Sequence, residues 1–136
     1  MSTITGFDSL LRTAREQSEP QRLLFVFVKT ALPEDASAAE VRRYHEGRGG
    51  GLMPVMYVDK SPDEIDGFDT LRAESGQMDA DWHMVVVAAL AGRAGQAPSE
   101  PDVAEACNSI IRTIHAGGDL SHLLVFDRAG DPIHFV

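Results

Sequence analysis

Arg22-Leu-Leu-Phe-Val-Phe-Val-Lys29 carries six apolar residues with no polar interruption. An amphipathic helix or a half-exposed strand would break such a run at its own period. A short, unbroken run rich in β-branched and aromatic residues reads as a strand covered on both faces. Each of Phe25, Val26, Phe27 and Val28 would then contribute roughly 1.5–3 kcal/mol through burial. The stretch is expected to be the central strand, with helices packed on both sides.

Working outward, Thr5-Gly-Phe-Asp8 opens a helix whose apolar positions are Ile4, Phe7, Leu10, Leu11 and Ala14, and Glu19-Pro20 stops it. After the central strand comes a loop with Pro33. Ser37-Ala-Ala-Glu40 then caps a short helix, and Gly47-Arg-Gly-Gly-Gly51 reads as a connector. Leu52-Met-Pro-Val-Met-Tyr-Val58 is the second strand, with Pro54 expected at its beginning because proline cannot donate to a ladder. Ser61-Pro-Asp-Glu64 is an explicit helix start, with Ile65, Phe68 and Leu71 as its buried stripe and Gly76 as its end. Met84-Val-Val-Val-Ala-Ala-Leu90 is a third strand. A last helix starts at Ser99, repeats Val103, Ala106, Cys107, Ile110, Ile111 and Ile114 at helical spacing, and stops at Gly117-Gly118. His122-Leu-Leu-Val-Phe126, the turn Asp127-Arg-Ala-Gly-Asp131 and Ile133-His-Phe-Val136 read as an antiparallel hairpin.

The order α-β-α-β-α-β-α-β-β predicts a single α/β domain over residues 1–136. It should have three layers and a mostly parallel sheet, with a C-terminal antiparallel β-hairpin at its edge. The length suits one core.

Composition excludes several roles. The net charge of -9, from 21 acidic and 12 basic residues, opposes binding to nucleic acid or anionic lipid. One cysteine permits no intrachain disulfide and suits a reducing cytoplasm. The opening residues lack the pattern of a signal peptide, and the apolar runs are too short for a membrane span. A cytoplasmic location is expected.

In an open parallel sheet, ligands bind beyond the carboxyl ends of the strands. Lys29, Asp59, Lys60 and Arg93 leave those ends, and Ser61 starts a helix beside them. The expected site is therefore a rim of Lys29, Asp59, Lys60, Ser61 and Arg93 for a small anionic or nucleotide-like ligand, with backbone N–H groups at the helix start assisting. The plainer reading is that polar residues mark where strands meet water.

Other motifs carry less. Gly47-Arg-Gly-Gly-Gly51 follows a helix and precedes a strand, the reverse of a phosphate-binding loop. Cys107 lies on the apolar face of the last helix and reads as a small buried hydrophobe. The five histidines show neither helical pairing nor zinc-finger spacing. No serine-hydrolase elbow or H-E-x-x-H is present. No cofactor, metal or catalytic set is expected.

Glu19-Pro-Gln-Arg-Leu-Leu-Phe-Val-Phe27, Pro54-Val-Met-Tyr-Val-Asp-Lys60, Ala97-Pro-Ser99 and Phe126-Asp-Arg-Ala-Gly-Asp-Pro132 carry a resemblance along nearly the whole chain. It resembles a family of small proteobacterial α/β proteins often labelled "ribonucleotide reductase subunit alpha". The resemblance implies at most a nucleotide-related or reductase-associated role. Reductase catalysis takes a radical-forming cysteine and a separate redox pair, and Cys107 alone cannot supply three thiols. The element order, with Met53-Pro54 before a strand, is also similar to thioredoxin-fold proteins. Without C-x-x-C, that topology would imply a redox-inactive adaptor.

The functional expectation is a binding or regulatory module for a protein partner or a small anionic ligand. Self-association through the C-terminal hairpin edge is a further expectation. The alternative is a small enzyme acting on a phosphorylated or nucleotide substrate, with Asp59 as its base.

Overall fold

The structure, a computed structural model, describes residues 6–31, 37–45, 51–78, 81–116 and 123–133. Four strands, β1 (Gln21–Ala31), β2 (Gly51–Lys60), β3 (Met84–Ala91) and β4 (Leu124–Asp127), form one sheet in the order β2-β1-β3-β4. Helices α1 (Phe7–Arg15), α2 (Ala38–His45), α3 (Phe68–Met78) and α4 (Glu100–His115) and a 3₁₀ turn (Pro62–Glu64) complete the described elements.

Every neighbouring pair is antiparallel, which overturns the expected mostly parallel sheet. Alternating helices and strands give a parallel sheet only when each helix carries the chain back along the strand before it. The eight residues of α2 rise about 12 Å, whereas the eleven of β1 span about 37 Å. The chain re-enters the sheet at the end it left, with Gly51 opposite Ala31. β2 and β3 do run the same way, but β1 lies between them. No parallel pair forms among the described strands, so the thioredoxin-like alternative falls too.

β1 is buried on both faces, and its alternate residues serve two cores. Leu23, Phe25 and Phe27 join Phe7, Leu10 and Leu11 of α1, Phe68 and Leu71 of α3, and Trp82 and Phe126. This face is aromatic: Phe7 meets Phe68 edge-on at 5.3 Å, and Phe27 meets Trp82 at 5.1 Å, an arrangement the ring quadrupoles favour. Leu24, Val26 and Val28 face the other way, against Val86, Val125 and α4's Val103, Cys107, Ile110 and Ile114.

Three local expectations change. Ser61 starts only the three-residue 3₁₀ turn, because Ile65 turns extended (φ -137°, ψ 127°) to bury its side chain. Helix α3 begins separately at Phe68 and runs through Gly76 to Met78. Arg15 bridges the break from α1, its guanidinium donating to the carbonyls of Pro62 (2.9 Å) and Ile65 (3.2 Å). At the first helix the cap is Gly6, whose N–H donates to Ser9 Oγ at 3.0 Å. Residues 92–96 form a tight turn in which Arg93 and Gln96 exchange backbone hydrogen bonds (3.0 and 2.9 Å). Its central residues Ala94 (φ 52°) and Gly95 (φ 78°) are left-handed, and the Glu19 carboxylate accepts from Gly95 N–H at 2.8 Å.

The expected connector residues 47–50, the glycine stop at 117–118 and the last strand residues 134–136 lie outside the described residues. The edge proposed for self-association therefore lies mostly outside them as well. What is described of the hairpin is its turn, where the N–H groups of Ala129 and Asp131 donate to Asp127 Oδ1 and Ile133 N–H donates to Val125 O.

Candidate functional site

The reversed strand direction splits the expected rim. Lys60 and Asp59 pair with Leu23 and Leu24, near the start of β1. Arg93 follows β3 at that same end, where Gln21 pairs with Ala91. Lys29 pairs with Met53 at the other end, six residues and about 20 Å along the strand from Leu23. Asp59, Lys60 and Ser61 are contiguous, Arg93 lies across β1 from them, and Lys29 does not converge.

The grouped charges already have partners. Asp59 Oδ2 accepts from Arg22 Nε at 2.6 Å, and Arg22 Nη1 reaches Glu64 Oε1 at 2.9 Å. Lys60 Nζ pairs with Glu74 Oε2 at 2.8 Å. Ser61 N–H, one of the groups expected to meet an anion, donates to Glu64 Oε1 at 2.9 Å. Hydrogen bonding to Asp59 holds the Arg22 guanidinium above its ordinary range, against the opposing effect of burial. The Ser61 backbone N–H holds the Glu64 carboxyl below its ordinary value, with the Ser61 side chain and Arg22 adding to the effect. A small anion would have to displace carboxylates from both cations.

Cys107 is buried. Desolvation raises its thiol's pKa, and the negative charge of Asp59 adds to that, so it is held as the unreactive thiol. Among the described residues, no group of three His, Cys, Asp or Glu side chains is placed to hold a metal ion. No described helix is long and apolar enough to cross a membrane.

The feature that strand direction exposes is the outer edge of β2. Successive residues of an antiparallel strand turn their backbone groups to opposite sides. Gly92 N–H donates to Pro20 O and His83 N–H to Val28 O, so even-numbered β1 residues face β3 and odd-numbered ones face β2. The bonds from Ile133 N–H to Val125 O and from Asp127 N–H to Asp131 O place odd β4 residues away from β3, which requires the same phase. On β2, Met56, Val58 and Lys60 therefore bond to β1, while Tyr57 and Asp59 turn N–H and C=O outward.

Pro54 obeys the same rule. It sits fourth in β2, not at its beginning, next to a register shift that leaves Val55 unpaired. Its partner Val28 faces β3, so the N–H that proline lacks would have pointed into the open. Proline and a bulge blunt that part of the edge. Residues 56–60 keep regular pairing to β1 and an open outer side among the described residues.

Side chains sharpen the picture. Among the described residues, Met53 (45% exposed) and Tyr57 (43%) are the large apolar groups left at the surface, and both are on β2. A cavity of about 350 Å³ opens on the α3 side of the strand, lined by Phe27, Val58, Lys60, Leu71, Glu74 and Ser75. Another of about 500 Å³ opens on the α4 side, lined by Arg22, Pro98, Glu100 and Val103 among others. Tyr57 and Asp59 line both.

Sequence reasoning missed Arg22, Tyr57, Glu64 and Glu74. Arg22 and Asp59 become neighbours only through antiparallel pairing, and Tyr57 acquires meaning only through ladder phase. No family model, curated protein or solved structure matches the chain.

Proposed function

We propose that this protein is a binding module whose partner is another protein, engaged at the outer edge of β2. The observation that carries this reading is the juxtaposition of outward backbone groups at Tyr57 and Asp59 with the exposed Tyr57 ring. An unpaired strand edge is a template for an added strand. The anionic-ligand reading loses ground because Arg22 and Lys60 are already neutralised by carboxylates. The enzyme reading has Asp59 as its base, and that carboxylate is committed to Arg22 at 2.6 Å.

Site-specific photocrosslinking in the native cell tests the proposal. A photoreactive residue at position 57 should yield discrete protein adducts, while one at exposed Ser109 on α4 should not. Equal labelling from both positions, or none from position 57, refutes an interaction at this edge. Amide titration with phosphate and nucleotides at millimolar concentration should leave residues 59–64 unshifted.

A further inference from the structure

Both cavities flank a single short stretch of strand, one on each face. The incoming segment's main chain would pair with Tyr57 and Asp59. Its successive side chains would then point alternately to the α3 side and the α4 side. Each cavity would receive every second residue, the arrangement by which strand addition combines backbone affinity with side-chain selection.

The two cavities differ chemically. On the α3 side, Phe27, Val58 and Leu71 offer an apolar wall, and the Lys60 and Glu74 charges cancel each other. That side suits an aliphatic residue. On the α4 side, Asp59 and Glu100 line the cavity against the single guanidinium of Arg22. Glu64 occupies that guanidinium from its other side, so carboxylates outnumber the cation. Tyr57, Pro98 and Val103 supply a surface for an aliphatic stem, and the tyrosine ring can meet a cation face-on. The chain's net charge of -9 adds a long-range field attracting a basic segment.

We infer that the β2 edge at residues 56–60 takes an extended, basic peptide segment of a partner protein, placing a Lys or Arg in the α4-side cavity and an aliphatic neighbour in the α3-side cavity. The inference rests on the protein-binding reading above and gives its partner a chemistry. Pro54 and the adjacent bulge limit the added strand to a few residues, so its selectivity comes from these two side chains.

The test is an amide NMR titration of the labelled full chain with capped peptides. One carries a central Val-Arg-Val flanked by Thr and Ser, and the others replace its Arg by norleucine or Glu. The Arg peptide should shift the amides of Tyr57, Val58 and Asp59, and bind at least about tenfold more tightly than the Glu peptide at low salt, with the gap closing as salt rises. Glu100→Lys should narrow that preference to within about threefold. Equal binding of the Arg and Glu peptides overturns the inference but leaves the edge reading intact, as does preferred binding of the norleucine peptide. Shifts elsewhere, or none at millimolar peptide, overturn it too, and crosslinking at position 57 then decides the edge reading separately. Light scattering that shows pairing with a second copy, abolished by Tyr57→Pro, also overturns it, since the occupant would be this chain itself.

Discussion

Proline placed at two adjacent positions of β2 should have sharply unequal effects. Val58 N–H belongs to the ladder facing β1, opposite Phe25, which is fully buried. Val58→Pro deletes that donor and leaves a buried carbonyl unsatisfied, at about 1–3 kcal/mol. The ring's intrusion toward β1 brings the expected total to about 3 kcal/mol or more. Tyr57 N–H faces outward, so Tyr57→Pro removes no ladder bond. Its cost is a change of φ and of strand preference, about 1 kcal/mol. Subtracting Tyr57→Ala and Val58→Ala from their proline counterparts removes the side-chain contributions. The remaining difference should be at least about 2 kcal/mol, given the unsatisfied carbonyl at only one position. Urea unfolding followed by fluorescence suits the measurement, because Trp82 is the one tryptophan and is fully buried. Equal costs, or a larger cost at position 57, would refute the ladder phase and with it the outward groups on which the binding edge depends. The expected result also supplies a reagent: Tyr57→Pro should fold yet lack the donor that an added strand needs.

Four further outcomes follow from local geometry. Ser75→Ala should cost about 1–3 kcal/mol, because Ser75 Oγ is the 2.9 Å acceptor for the buried Trp82 indole N–H; additive effects in a double-mutant cycle with Trp82→Phe would contradict this. Ala94→Gly should raise stability by about 0.5–1 kcal/mol by relieving a left-handed alanine, whereas Gly92→Ala should destabilise severely, its Cβ falling 1.8 Å from Gln96 O; a neutral pair of results in thermal melts would argue against the turn. The depressed Glu64 pKa stabilises the fold above the ordinary value of 4.5 and loses that contribution as pH falls through the lower folded value, so the advantage of wild type over Glu64→Gln should shrink on acidification; an advantage that grows instead would reverse the assignment. Cys107 in the native protein should react with thiol reagents only as fast as the fold opens, and a fast phase at neutral pH would show an exposed thiolate.

The positions of the main elements were legible because burial leaves a local signature. Six unbroken apolar residues mark β1, and the three-and-four spacing from Val103 to Ile114 marks the buried face of α4. Strand direction left no such mark. For β1 and β2 it turned on where the chain re-enters the sheet, with Gly51 opposite Ala31, which counting helices does not capture. The candidate rim inherited that error at Lys29, whose partner is Met53. Ser61-Pro-Asp-Glu64 has the right residues for a cap, and Glu64 does reach back to Ser61 N–H. Yet burying Ile65 outweighs continuing the helix, a tertiary effect overriding local preference. The edge at Tyr57 and Asp59 was illegible for a related reason. Which backbone groups face outward is set by hydrogen bonds made on the far side of the sheet, at Pro20 and Val28.

The central place of β1 in the sheet also has a consequence during synthesis. β1 is the first strand made, but its partners on both sides are made later, and the second is complete only when Ala91 has been added. At typical elongation rates the stretch from Ala31 to Ala91 takes about 3–12 s. Until Lys60 is added the nascent chain holds an apolar, β-prone segment with both edges unpaired, and from there until Ala91 the edge that faces β3 still has no partner. Exposed apolar surface and an unpaired strand edge make such a species prone to aggregate, and its waiting time lengthens wherever translation slows between β1 and β3.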